Sequence, residues 1–375
     1  MNRKNVLLLC HSYSTPFLSV AVQYSYLFEG KDINLVVVFI KGEPSTDVAD
    51  ELYADKVLFL NQSTASLKGL KQEAIKKLRA INDSYNFDFC VAHRYKSMYI
   101  SLRCGIYTIG VSHIDGVFSG WKRKLFAYYF KDKLSLLGVS KAIRDDMRKS
   151  LPLFPEEKID FLYNSLNFDK IREAQLSKNG ARSFLGLSED VFVFANVGRV
   201  HEDKDQKTLI KAFSLVSEKM PSAILIIVGE GRLMSALKAQ VQELNLESRV
   251  KLLGNIPEAV KYFKAFDCFV LSSIREGLPV AILEAYAAKV PPIASLCNGN
   301  TEAIEGLNVG FPIGDAQALS ELLLSSYERS EIDKEVFISK IDEKIEKYFT
   351  AEAVNIAFWK LRVIQSLVDT DIEKV

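Results

Sequence analysis

Short, continuously apolar runs alternate with longer segments of helical periodicity along most of the chain. In the first half the runs are NVLLLC, INLVVVFI, DFCVAH and LSLLGVS; in the second they are DVFVFANVG, AILIIVG, RVKLLG and DCFVLSS. They are rich in Val, Ile, Leu and Phe, are bounded by turn residues, and lack the regular polar alternation of a half-solvated strand. Such runs predict strands buried on both faces, and strands of that kind separated by helices make parallel sheets. Between them, KTLIKAFSLVSEKM and RLMSALKAQVQEL place apolar residues at helical spacing. Near the end, TAEAVNIAFWKLRVIQSLV reads as one long amphipathic helix that need not belong to the second sheet. No short-period repeat or low-complexity tract interrupts the series.

The series breaks once, at the polar stretch 167–190, and restarts at Val191. YNSLN, residues 163–167, reads as the crossing. The pattern therefore predicts an α/β chain of two doubly wound, Rossmann-like domains, 1–166 and 167–349, with 350–375 as a helix returning to the first. The length of 375 residues suits two domains of about 150 residues each. Two such sheets facing each other would hold a cleft at the carboxyl ends of their strands, where open α/β sheets bind ligands.

Charge refines this picture modestly. The whole chain carries +1, but residues 1–165 hold 23 Lys+Arg against 17 Asp+Glu, and the rest 25 against 30. A first half at +6 is suited to an anionic partner. The five cysteines are scattered, with no Cys-x-x-Cys pair, so a disulfide framework or zinc ribbon is not expected. The opening MNRKNVLLLCHSYSTP has too short an apolar run for a signal peptide and reads as a first strand. No run reaches the length of a membrane span. A cytoplasmic protein, at most peripheral on the inner face of the membrane, is expected. Nucleic-acid binding is not, since the pI is near 7.6 and no recognised motif appears.

The candidate chemistry lies where strands end and helices begin. SSIREGLPVAILEAYA, residues 272–287, is largely apolar yet carries Glu276 and Glu284 eight positions apart. Glu276 falls in a loop at a strand's carboxyl end, and Gly277, Leu278 and Pro279 lead into a helix, proline being well placed at a first helical position. A helix start offers free N–H groups to a phosphate, and Glu284, about one and a half turns on, is placed to accept from ribose hydroxyls. The plainer alternative is a capping Glu276 and a solvated Glu284. Upstream, FANVGRVHEDKDQKTLIKAF ends a strand at Gly198 and then presents Arg199 and Lys204 five apart. Two cations there can bind a diphosphate and stabilise it as a leaving group without a metal. IIVGEGRL carries Gly229 and Gly231, but Met234 occupies the last glycine of a dinucleotide fingerprint.

In order along residues 190–320, these segments resemble the family 4 (group 1) glycosyltransferases of the GT-B fold. The resemblance runs from VGRVHEDKDQKTLIKAF through LIIVGEGRL, RVKLLGNIPEAVKYFKAFDCFVLSS and REGLPVAILEAYAAKVPPIAS to NGNTEAI. It implies a retaining transfer from a nucleotide-sugar to a glycan or glycolipid, such as a lipopolysaccharide core or surface polysaccharide. It also implies that Arg199 and Lys204 hold the donor diphosphate, that Glu284 contacts the ribose, and that Glu276 lies near the sugar. In the first half GVSHIDG resembles the loop whose histidine, here His113, lines the sugar-phosphate site. A structural, hydrogen-bonded histidine is the other reading of His113.

The chain departs from the family in four places. HSYSTPFLS lacks the glycines of the loop after the first strand, Asp205 stands where glycine is common, Asn298 replaces one glycine of a pair, and Thr301 replaces a proline. No cofactor or metal is expected, because Asp203-Lys204-Asp205 centres on the phosphate lysine and Asp369-Thr370-Asp371 lacks suitable company. GWKRKLFAYYFKDKLS, 120–135, has five basic residues and a stripe of Trp121, Leu125 and Tyr128 or Tyr129. It reads either as a core helix with a basic outer face or as a segment resting on an anionic membrane. Two other functions remain open: a nucleotide-sugar epimerase of related fold, or a non-catalytic sugar-nucleotide-binding subunit.

Overall fold

The computed structural model describes residues 3–14 and 17–368. The chain divides into two compact units, one running to Ser165 and resuming at Ala351, the other spanning Leu166–Thr350. Each is built round one parallel sheet.

In the first unit, β1 (Lys4–Cys10), β2 (Ile33–Phe39), β3 (Lys56–Phe59), β4 (Phe89–His93), β5 (Thr108–Ser112), β6 (Leu134–Gly138) and β7 (Ile159–Phe161) order as β3-β2-β1-β4-β5-β6-β7. Strand β1 lies between β2 and β4, with Leu8 opposite Val37 and Val91. Both its faces are covered, which is why Val6 to Leu9 form an unbroken apolar run with no exposed surface. The order reverses between β1 and β4.

The second unit repeats the scheme with β8 (Phe192–Val197), β9 (Ala223–Val228), β10 (Val250–Gly254), β11 (Cys268–Leu271), β12 (Pro292–Ser295) and β13 (Gly310–Phe311), in the order β10-β9-β8-β11-β12-β13. Here the reversal lies between β8 and β11. These two strands share only the pairs Cys268–Phe194 and Phe269–Ala195. Beyond them the buried Asn196 side chain takes over, donating to the Val270 carbonyl at 2.7 Å. A side chain in place of a backbone rung lets the strands part at their carboxyl ends.

The eight runs read from the sequence are β1, β2, β4, β6, β8, β9, β10 and β11. Two expectations change. The terminal segment is two helices, Ala351–Trp359 and Arg362–Val368, broken at Lys360 and Leu361 with no glycine or proline to mark it. Trp359 there donates its indole N–H to the Leu27 carbonyl at 2.9 Å and stands edge-on to Phe28, fixing the end of the first helix on the first unit. In addition, Pro279 is not the first helical residue but the extended residue before the helix Val280–Ala287.

Candidate functional site

Two loops flank the β8/β11 reversal, and their backbones are tied together. Ser272 Oγ donates to the Lys204 carbonyl at 2.9 Å, and the Ile274 N–H donates to the Asp203 carbonyl at 2.9 Å. This brings together side chains 72 residues apart: Lys204 Nζ donates to Glu276 Oε1. Ser273 Oγ donates to the same oxygen at 2.7 Å. The pair is largely shielded, with side-chain exposures of 20% for Lys204 and 13% for Glu276. An ammonium has three donors, so the bond to Glu276 leaves two for a ligand.

The loop after β8 is held from beneath. Gln206 donates through Nε2 to the Arg199 carbonyl at 3.0 Å and to Asn196 Oδ1 at 3.3 Å. Asp205, in the left-handed region at φ 44°, caps the helix Gln206–Val216 by accepting from the Thr208 N–H at 3.4 Å, and its other carboxylate oxygen accepts from Thr208 Oγ1 at 2.6 Å. Glycine suits that backbone. Aspartate sits there by bonding its own helix, so this departure from the family keeps the turn. Arg199 is exposed on the same loop.

The β8 and β9 loops continue the sheet's pairing past its strands. Gly198 N–H donates to Val228 O and Val200 N–H to Glu230 O, each at 2.9 Å. Gly229, at φ 138°, lies so close that a Cβ on it would meet the Gly198 carbonyl oxygen at 1.9 Å. Beside it a cavity of about 340 Å³ is lined by Glu230, Gly231, Met234, Lys238, Leu252, Leu253 and Gly254. On the other side Gly299 N–H donates to Glu276 O at 3.3 Å, and its missing side chain leaves room for the Gly277 carbonyl. Gly277, Leu278 and Pro279 are buried.

Residues 177–341 match the family described as glycosyl transferases group 1. An uncharacterised glycosyltransferase of Methanocaldococcus jannaschii is 30% identical over 310 residues, which cover 75% of this chain and 72% of that protein. The chain belongs to the group 1 glycosyltransferases. It is also 36% identical to the Escherichia coli UDP-Gal:alpha-D-GlcNAc-diphosphoundecaprenol alpha-1,3-galactosyltransferase over 159 residues, 42% of this chain and 41% of that one. Its fold is GT-B: the crystal structure of Anabaena HepE in complex with UDP-glucose superposes with a TM-score of 0.76 at 17% identity, covering 98% of this chain and 100% of that one.

In this glycosyltransferase Glu284 lies on the second turn of the helix Val280–Ala287, half-buried, with no side-chain partner among the described residues. Burial pushes its carboxyl from 4.5 up to about 7. The nearby Cys297 thiol is pushed up to about 11, chiefly by burial, and is no nucleophile at neutral pH.

Of the sequence candidates, Lys204, Glu276, Gly198 and Gly229 come together with Gly277 to Pro279 round the β8/β11 ends, and Arg199 stands on the same loop. His113 is in the first unit, where His93 Nδ1 lies 3.1 Å from its Nε2. Burial, then Arg94, lowers His113 to about 4, so the ring is neutral. Asn196, Gln206, Ser272 and Ser273 are the site residues missed from sequence. Their only signal was polarity inside or beside an apolar strand. The Asp369-to-Asp371 motif lies outside the described residues.

The segment 120–135 departs from the core-helix reading. Trp121, Leu125 and Tyr129 are exposed by 66%, 58% and 81%, and Ala127 is the buried residue of the helix Trp121–Tyr129. Among the described residues no helix is long and apolar enough to cross a membrane.

Proposed function

We propose that this protein is a retaining glycosyltransferase that moves a sugar from a UDP-sugar to a glycan or glycolipid acceptor in bacterial lipopolysaccharide or surface-polysaccharide synthesis, at the cytoplasmic face of the membrane. The shielded Lys204–Glu276–Ser273 group at the carboxyl ends of β8 and β11 carries this reading. In the reaction the C1–O bond to the diphosphate breaks, a bond to the acceptor oxygen forms, and the acceptor proton passes to the departing diphosphate. Lys204 and Arg199 neutralise the charge that grows on the leaving oxygens, so no metal cofactor is invoked. Glu276 holds Lys204 in place and faces the sugar. The cavity beside Gly229 takes the base, and Glu284 accepts from the ribose. The UDP specificity is supported by the UDP-sugars named for the Escherichia coli relative and for HepE.

Calorimetric titration with UDP tests the donor site. A carboxyl with a raised pKa stabilises the fold least once ionised: without ligand, stability is full below about pH 4.5 and falls as pH rises through about 7. Ribose hydroxyls favour the ionised form, so UDP binding has the opposite slope. UDP affinity is expected to rise about tenfold from pH 6 to pH 8 in the parent. It should rise distinctly less in Glu284→Gln, where only the terminal phosphate's own ionisation, at about pH 6, remains. The same pH dependence in both proteins would remove Glu284 from the site. Release of UDP in step with sugar transfer separates this activity from epimerisation.

We also propose that the helix Trp121–Tyr129 rests on an anionic membrane. Its exposed aromatic and aliphatic side chains are interleaved with Lys122, Arg123 and Lys124, the pattern of an interfacial helix. Trp121→Ser with Tyr129→Ser should lower partitioning onto phosphatidylglycerol vesicles by tenfold or more, each buried large side chain being worth about 1.5–3 kcal/mol. Equal sedimentation of parent and variant would remove the contact.

A further inference from the structure

The first unit has its own reversal of strand order, between β1 and β4, and basic groups gather at the carboxyl ends there. His11 follows β1, Lys41 follows β2, and Arg94 and Lys96 follow β4. Burial first, and then the charges of Lys96, Arg94 and Lys41, lower the pKa of His11 to about 4. Among the described residues no carboxylate lies within salt-bridge distance of Arg94, Lys96 or Lys41. Arg94 and Lys96 are exposed, and Lys41 donates to Thr64 Oγ1 at 2.9 Å. Like charges gathered without a counter-charge repel one another, and an anion placed among them relieves that repulsion.

The backbone is shaped for this too. Arg94 has φ 72°, left-handed for a residue with a side chain, at the first position of the helix Arg94–Arg103. That conformation costs about 1 kcal/mol or more, and such strain collects at ligand sites. It lays the guanidinium over the Phe17 ring, 4.6 Å from its centroid. Beside it are polar atoms that the protein does not satisfy. His93 is 4% exposed, and its Nε2 has no partner while Nδ1 is occupied by His113. Tyr24 is fully buried with its hydroxyl unpartnered, its ring edge-on to His93 at 4.3 Å between centroids. His11 Nδ1 is likewise buried without a partner.

We infer that His11, Arg94, Lys96 and Lys41 form a phosphoryl-binding site at the carboxyl ends of β1 and β4, and that the acceptor this enzyme glycosylates carries a phosphate or diphosphate. The site rests on the transferase reading and adds an acceptor class to it. Arg94 supplies a planar fork to the phosphoryl oxygens, Lys96 and Lys41 supply point charges, and His11 and the Tyr24 hydroxyl complete the hydrogen bonding. The phosphoryl group belongs either to a lipid-linked diphosphate or to a soluble sugar phosphate.

The chain has four histidines, so the full-length protein labelled with ¹³C at histidine Cε1 gives four assignable signals. Saturating UDP is added first, to occupy the donor site, and should move His201, whose Nδ1 accepts from Asp203 N beside Lys204. Inorganic pyrophosphate is then titrated at constant ionic strength. The His11 signal, identified by its loss in His11→Gln, should shift. It should also begin to titrate between about pH 5 and 7, where it is silent without the anion, because a nearby negative charge raises a histidine's pKa. Arg94→Asn, which keeps the left-handed backbone, should weaken pyrophosphate binding tenfold or more while leaving the UDP shift of His201 unchanged. A short-chain isoprenyl diphosphate binding tighter than pyrophosphate assigns the site to a lipid-linked acceptor, and glucose 1-phosphate binding tighter assigns it to a soluble one. An unmoved His11 signal with all three compounds overturns the proposal, as does unchanged binding by Arg94→Asn. An unmoved His201 on adding UDP is instead a failure of the donor-site reading, and the His11 result stands apart from it.

Discussion

Lys204→Met is expected to lower the rate of sugar transfer by about 10²–10³, the usual loss when one preorganised charge stabiliser is removed. UDP affinity should fall less, because the charge on the diphosphate grows as the glycosidic bond breaks and Lys204 acts most on that later state. Methionine keeps the methylenes that lie against Gly198, where a side chain would meet Lys204 Cε at 3.8 Å. What it removes is the ammonium, and that leaves Glu276 as a shielded carboxylate to which, among the described residues, only the Ser273 side chain donates. A lone buried charge destabilises its surroundings by itself, on the order of 3–5 kcal/mol when fully enclosed. The double variant Lys204→Met/Glu276→Gln separates the two effects. It should recover most of the thermal stability lost in the single variant and none of the rate. Initial rates of UDP release, read beside melting curves, check both halves. A single variant that transfers sugar at the parent rate would falsify the leaving-group role.

Gly229→Ala should produce a large loss of stability. Two costs combine there. Alanine is strained at φ 138°, and its Cβ would lie 1.9 Å from the Gly198 carbonyl oxygen, so backbone must move against backbone. The expected destabilisation is roughly 3 kcal/mol or more. For a unit of this size that is a fall of about 6–12 °C in the midpoint of the second unit's melting. UDP binding should fail along with it. Separating Gly229 from Gly198 breaks the pairing of Gly198 with Val228 and of Val200 with Glu230, and these rungs support the loop that carries Arg199 and Lys204. Gly306→Ala is the control: Gly306 is also left-handed, at φ 81°, but has open space round its Cβ position. It should show the strain alone. Equal melting of the two variants would show that the collision is relieved cheaply.

The parts of the fold legible in the sequence are those where burial on both faces forces an unbroken apolar run. Strand β1 and the second-sheet strands β8 and β9 are of that kind. Strand β5 is as central as β1 but could not be read the same way. Its sequence TIGVS is half polar or small, for reasons that lie in its neighbours. Thr108 Oγ1 donates to the Ile106 carbonyl at 3.0 Å and lies 2.9 Å from the Ser101 hydroxyl, and Gly110 leaves the space that the Met98 side chain fills. Edge strands such as β13, two residues long, carry too little pattern to register. The site divides in the same way. Lys204 and Glu276 stand out as charges in apolar surroundings, but their bond across 72 residues depends on the order in which the strands lie in the sheet. Ser272, Ser273 and Asn196 are ordinary small polar residues until that order places Lys204, Glu276 and Val270 beside them.

The indole of Trp359 on the Leu27 carbonyl has a bearing on how the protein is made. Leu27 and Phe28 leave the ribosome more than three hundred residues before the helix that covers them, since Trp359 lies 332 positions after Leu27. At common elongation rates of about 5–20 residues per second, that interval is tens of seconds. Within it the second unit, contiguous from Leu166 to Thr350, is made whole, its last residue emerging just before the segment that carries Trp359. The first unit, although begun earlier, waits with Phe28 uncapped. The half of the protein synthesised first is thus the half finished last, and its exposed ring is the surface a chaperone would meet during synthesis.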